Sequence, residues 1–208
     1  MPRTTNPNVF VNCPFDKAFQ PLFKSIIFTT LYLDYNPVFS NTTSSESIRV
    51  KNIMRLIAKS KFGIHDLSRN ESGKRGEKAR FNMPFELGLD IGSKRFGGPK
   101  FAGKKILILD SKPHDYDQYI GDISGQDIES HANDPETLIK VIRDWFSRIY
   151  PKKRFIGASK IWKAFNQFSD DLPLQLSGAF NKREIDNLQM SDYKEYAADW
   201  IQEMKLHR

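Results

Sequence analysis

Two carboxylates stand where a strand stops and a helix starts. Asp66 closes the apolar run KFGIHDL (61–67), and Glu86 sits in RFNMPFELGLDIG (80–92), which reads as the first turns of a helix. A carboxylate there can simply answer the helix dipole or cap a turn. It can also work at a sugar anomeric carbon, as a nucleophile or as the charge that stabilises an oxocarbenium-like transition state. A second carboxylate beside it can hold a sugar hydroxyl or move a proton. Sharing one cleft would push the proton affinities of the two groups apart. The free N–H groups of the helix start suit a phosphate.

The elements that must position these groups are legible as period changes. NVFVNCPF (8–15), YNPVFS (35–40), KFGIHDL (61–67) and KKILILD (104–110) read as strands. Between them, 17–33, 44–60 and the segment from Met83 carry apolar residues at helical spacing. Strand and helix alternating at these lengths predict right-handed crossovers and an α/β fold, with a mostly parallel sheet of four or five strands flanked by helices. In such a sheet a ligand lies beyond the C-terminal strand ends, where strand order reverses. That rule selects Asn12 with Cys13, Ser40 with Asn41, Asp66 with Ser68, and Asp110. Glu86, at the start of a helix that follows a strand, faces the same edge. Arg49, in the first turns of the second helix, can meet a phosphate. Phe85, Gly88, Leu89, Gly92 and Phe96 share one helix face, and the two glycines are expected to bring that face close to the sheet.

The second half is more helical. Asp134, Pro135 and Glu136 make an N-terminal signature, followed by Leu138, Ile142, Trp145 and Ile149 at helical spacing. Helices are expected over 159–172 and 191–208, with a loop and a short helix over 173–188. The expected organisation is an α/β domain over 1–156 and a helical C-terminal extension over 157–208, packed on it or serving a protein partner.

Composition narrows the classes. The chain has 208 residues and a formal net charge of +7, which favours anionic partners. Its densest basic pieces, 72–80 and 150–154, lack interleaved aromatics, so nucleic acid is the lesser expectation. No apolar run reaches the ~20 residues of a membrane span. The N-terminal residues lack an apolar signal core, and the single cysteine, Cys13, suits a reducing compartment, so a cytoplasmic protein is expected. Four scattered histidines make a poor metal inventory, and no metal is expected. Asp122, Asp127 and His131 in DISGQDIESH read better as a structured turn than as ligands. A Cys13–His65 nucleophile pair is disfavoured, because His65 lies within a strand. Tyr116 and Tyr119 can stack on a base, and the three tryptophans read as core.

The blocks VFVNCPFD, IRVKNIMRLIAKSKFGIHDLSR, RFNMPFELGLDIG and DISGQDIESH resemble the signature blocks of a family of uncharacterised bacterial proteins. At a further remove, the first ~110 residues resemble the nucleoside 2-deoxyribosyltransferases and TIR-type NAD hydrolases, flavodoxin-like domains that cleave N-glycosidic bonds. In the deoxyribosyltransferases a strand ends in an aspartate that helps place the substrate, and a later helix carries the nucleophilic glutamate in a pattern close to E-[LI]-G. GIHDLS matches the first element at Asp66, and PFELGLDIG the second at Glu86. Those enzymes usually carry small and hydroxyl residues before the glutamate; this chain has RFNMPF, where Asn82 would be the polar contact.

The resemblance implies a flavodoxin-like sheet and an N-glycosidase or (deoxy)ribosyltransferase acting on NAD or a nucleoside phosphate. NAD or the nucleotide would be substrate, with no cofactor. Glu86 and Asp66 would be catalytic. Asn12, Cys13, Ser40, Asn41, Arg49, Ser68, Asn82 and Asp110 would line the substrate site. It further implies a homodimer and a setting in bacterial stress or phage defence. Two rival expectations are a nucleotide-sensing module that signals to a partner and a nucleic-acid-binding protein.

Overall fold

The computed structural model describes residues 6–40, 46–69, 81–113, 116, 120–123, 126 and 128–206. Asn41, Tyr119, Asp127 and the basic piece 72–80 lie outside them.

Five strands run in the order β2-β1-β3-β4-β5, all parallel: β1 (Asn8–Asn12), β2 (Asn36–Val38), β3 (Phe62–Asp66), β4 (Lys105–Asp110) and β5 (Ile128–Ser130). Seven helices of the described residues accompany them: α1 (Gln20–Tyr32), α2 (Glu46–Lys59), α3 (Asn82–Phe96), α4 (Pro135–Ile149), α5 (Ala158–Leu176), α6 (Lys182–Asp186) and α7 (Met190–Leu206). The fold is a flavodoxin-like α/β sheet flanked by helices, with a helical C-terminal region.

Every residue of β3 is buried, and so are Val9–Asn12 of β1. Central parallel strands are covered on both faces, which is why neither run alternates in polarity. Pro37 is tolerated because β2 is an edge strand. The other edge, β5, falls in the segment expected to be a turn. It has three half-buried residues and only one apolar side chain among them, so no hydrophobic pattern marks it. From β1 the chain goes out to β2 and then returns past β1 to β3, so strand order reverses between β1 and β3. Register puts Asn12 beside His65, and Asp66 beside Leu109.

Contacts divide the chain into two compact units, Met1–Phe19 with Tyr35–Asn133, and Gln20–Asp34 with Asp134–Arg208. The first holds the sheet with α2 and α3. The second gathers α1 with α4 to α7, a grouping that chain order alone, with its boundary at 156, does not follow. In this second unit Phe28 of α1 stacks on Phe168, with Phe165 and Trp200 against the same ring. Asp134 caps α4 by accepting the Thr137 N–H. α5 runs through Pro173 where a stop was expected, because Leu172 and Leu176 stay buried on its inner face. That burial outweighs the one backbone donor proline lacks. No helix of the described residues is long and apolar enough to cross a membrane.

Candidate functional site

β1 and β3 end side by side at the point where strand order reverses, and α3 begins there. Asn12 closes β1, with its side-chain amide donating to the Met83 carbonyl at 2.9 Å. That bond ties the first turn of α3 to the strand end. It also fixes the orientation of the amide, so the same NH₂ group faces His65 Nδ1 at 3.1 Å as a donor. His65 Nδ1 is therefore an acceptor, and Nε2 carries the proton that reaches Asp90 Oδ2 at 2.9 Å. The other Asp90 oxygen pairs with Lys104 Nζ, which in turn donates to the Ile57 carbonyl at 2.7 Å. The chain Asn12–His65–Asp90–Lys104 lies entirely inside the protein. Burial alone would raise the Asp90 carboxyl, but the hydrogen bond from His65 and the bond and charge of Lys104 hold it below its ordinary value.

The buried residues of α3 are Met83, Glu86, Leu87 and Asp90, one stripe at helical spacing. Of the face expected to meet the sheet, only Leu89 packs inward, half-buried against the Phe10, Ile53 and Ile57 cluster. Phe85 and Phe96 are exposed, and a side chain added at Gly88 or Gly92 would meet nothing within 4 Å. Two anchored polar groups, Asp90 and the Met83 carbonyl, select the opposite face. The glycine that permits close approach lies in the strand instead. A Cβ at Gly63 would strike the Asp90 carboxylate and the His65 ring.

Glu86 sits one turn before Asp90 on the same stripe. It is 6% exposed, and among the described residues no hydrogen bond or ion pair reaches its carboxylate. Burial pushes its carboxyl up to about 7, against the opposing charge of Arg49 on α2. Cys13 lies in the same neighbourhood. Burial first, then the negative charges of Asp66, Glu86 and Asp16, push its thiol well above its usual value. It stays a protonated thiol, and His65 is already engaged elsewhere, so the two form no nucleophile pair.

Asp66 is fully buried at the end of β3. One oxygen accepts both the Ser68 N–H at 3.0 Å and the Ser68 hydroxyl at 2.6 Å. The other lies 3.0 Å from His131 Nε2 without forming an aligned hydrogen bond. His131 Nδ1 accepts the Asn133 N–H, and the turn that allows this puts Ala132 and Asn133 at φ 53° and 55°. Ser40 is buried with its hydroxyl lacking a partner among the described residues, as is the Asn12 side-chain oxygen. Asp110 is buried and accepts the Ser111 N–H. Asn82 is exposed as the first residue of α3, and Arg49 is half-exposed.

The sequence named Asn12, Cys13, Asp66 and Glu86, which the strand ends and the start of α3 bring together. It missed Asp90 and Lys104. Asp90 carried a signal, lying four residues after Glu86 on one helix face. Lys104 carried none, since a lysine at the start of a strand reads as solvated. Among the described residues no three His, Cys, Asp or Glu side chains gather as metal ligands. Two clefts open elsewhere, one at Ser60, Lys61, Lys100 and Lys104, the other at Asn181, Arg183, Asn187 and Asp192, and neither includes Glu86. Compared with protein-family models, with curated proteins and with solved structures, the chain matches none.

Proposed function

We propose that the protein cleaves the N-glycosidic bond of NAD or a nucleoside phosphate, by hydrolysis or by transfer of the sugar, with Glu86 as the working carboxylate. The observation that carries this reading is Glu86 itself, a buried glutamate without a partner among the described residues, at the start of α3, with its carboxyl raised to about 7. A carboxylate freed of ion pairs and largely desolvated is more reactive toward a developing cation than a fully solvated one. Its place beyond β1 and β3, at the reversal of strand order, is where open parallel sheets hold ligands. The resemblance of GIHDLS and PFELG to the deoxyribosyltransferase pattern points the same way. Asn12, Ser40 and Asp66 would supply polar contacts or orient neighbours, Arg49 would meet a phosphate, and the substrate would need no cofactor. A bacterial defence setting, a homodimer and a partner for the C-terminal helices belong to the same proposal.

The test is incubation of the purified chain with NAD and a panel of nucleotides and deoxynucleotides, with products resolved by chromatography and Glu86→Gln run in parallel. Wild type is expected to release free base, and the variant to lose at least about a hundredfold in rate while still binding. Because the reacting form is the carboxylate, kcat/KM should rise with pH up to about 7 and then level. Saturable binding of an unchanged nucleotide would replace the enzyme with a sensor. Affinity for RNA or DNA that falls steeply with salt, without turnover, would favour the nucleic-acid reading.

A further inference from the structure

Two carboxylates are buried on one face of α3, and they are treated differently. Asp90 receives His65 Nε2 on one oxygen and Lys104 Nζ on the other. Glu86, four residues earlier, receives neither a hydrogen bond nor an ion pair among the described residues. A buried charge is tolerated when paired, and is costly when it is not. The fold therefore pairs one carboxylate, at Asp90, and leaves the other, one turn away, without a partner among the described residues. The anchors bracket Glu86. Asn12 holds the Met83 carbonyl three residues before it, and the Asp90 pairings hold the helix four residues after it. These anchors come from the end of β1, from β3 and from the residue before β4. Successive helix residues are turned by about 100°, so a small rotation of α3 would carry Glu86 toward water. Gly63 is the space that lets Asp90 reach His65.

We propose that His65, Asp90 and Lys104 form a positioning clamp that fixes the rotation of α3 and thereby keeps Glu86 buried and unpaired at the edge of the crevice. They are positioning residues and touch no substrate. The proposal rests on Glu86 being the working carboxylate, but the clamp is testable without turnover.

Two variants separate the clamp from a general loss of structure. Asp90→Asn with Lys104→Met removes both charges together, so no orphaned charge remains inside. Gly63→Ala keeps every charge and pushes a methyl group against Asp90 and His65. Neither alters Arg49 of α2 or Cys13 beyond β1, the titratable groups that interact with Glu86. The first readout is the side-chain carboxyl 13C shift of Glu86 against pH in the ligand-free chain, assigned by comparison with Glu86→Gln. Wild type should titrate near 7. The folded variants should titrate at least about one pH unit lower, as water reaches the carboxyl. The second readout is base release, where kcat should fall about tenfold or more while KM stays within about threefold.

An unchanged Glu86 titration in a folded variant overturns the clamp, whatever happens to the rate. A lowered titration with lowered kcat supports both the clamp and the catalytic reading. A lowered titration in a protein whose wild type releases no base supports the clamp and sinks the catalytic reading. If the double variant does not fold, Gly63→Ala carries the same decision.

Discussion

A glutamate buried without a partner costs the fold free energy whenever it is ionised. The folded carboxyl of Glu86 titrates near 7, while the unfolded chain ionises near 4.5. Below 4.5 both states hold the proton, and stability does not depend on this group. Between those two values the folded state holds more protons than the unfolded one, so stability falls as pH rises. Above 7 the loss is complete, at about 3 kcal/mol at most. Glu86→Gln removes it. Urea unfolding should therefore find the variant close to wild type at pH 4.5 and more stable by roughly 1–3 kcal/mol at pH 8. Equal gaps at both pH values would mean that Glu86 is solvated after all. Gain of stability with loss of activity is the pattern expected of a strained working group, and a mere helix-start charge would give neither. The identity of Glu86 as a candidate was legible from its sequence position. Its burial was not, because burial depends on which helix face the strands accept.

At the scale of elements, α3 shows how a pattern can mislead. Phe85, Gly88, Leu89, Gly92 and Phe96 look like a packing face, with glycines for close approach. The structure turns most of that face outward, leaving Phe85 53% and Phe96 87% exposed, with only Leu89 half-buried against Phe10, Ile53 and Ile57. The rival stripe holds two carboxylates and looks polar, yet its anchors reach partners that no local pattern shows. The consequence is a contrast between glycines. Gly88→Ala and Gly92→Ala each add a methyl group in open space within a helix and should stabilise by about 0.5–1 kcal/mol each. Gly63→Ala adds it against a packed ion pair and should destabilise by roughly 1–3 kcal/mol. Chemical denaturation of the three variants gives the signs directly. A destabilising Gly88→Ala would restore the close-approach reading. The same logic applies at α5, where a proline read as a stop gives way to buried Leu172 and Leu176. It applies again at β5, whose short half-buried run takes its strand conformation from pairing with β4.

At the scale of the whole molecule, the chain forms two compact units that interleave in sequence. Trp145, Trp162 and Trp200, all the tryptophans in the chain, lie in the helical unit, so their fluorescence reports that unit. Phe28 is fully buried there under Phe165, Phe168 and Trp200. Phe28→Ala should lower the stability read by tryptophan fluorescence by about 3–5 kcal/mol. A shift below about 1 kcal/mol would mean the aromatic cluster repacks around the gap. What the sequence by itself determined is the alternation of strands and helices, the parallel sheet, and the strand ends at Asn12 and Asp66. Those follow from local period and from connection rules, which need no knowledge of distant residues. The tertiary structure decided which face of α3 is inside, that α1 groups with the C-terminal helices, and that Asp90, His65 and Lys104 meet. Those outcomes depend on which buried charges find partners far along the chain, and a side chain carries no mark of its partner until the fold brings the two together.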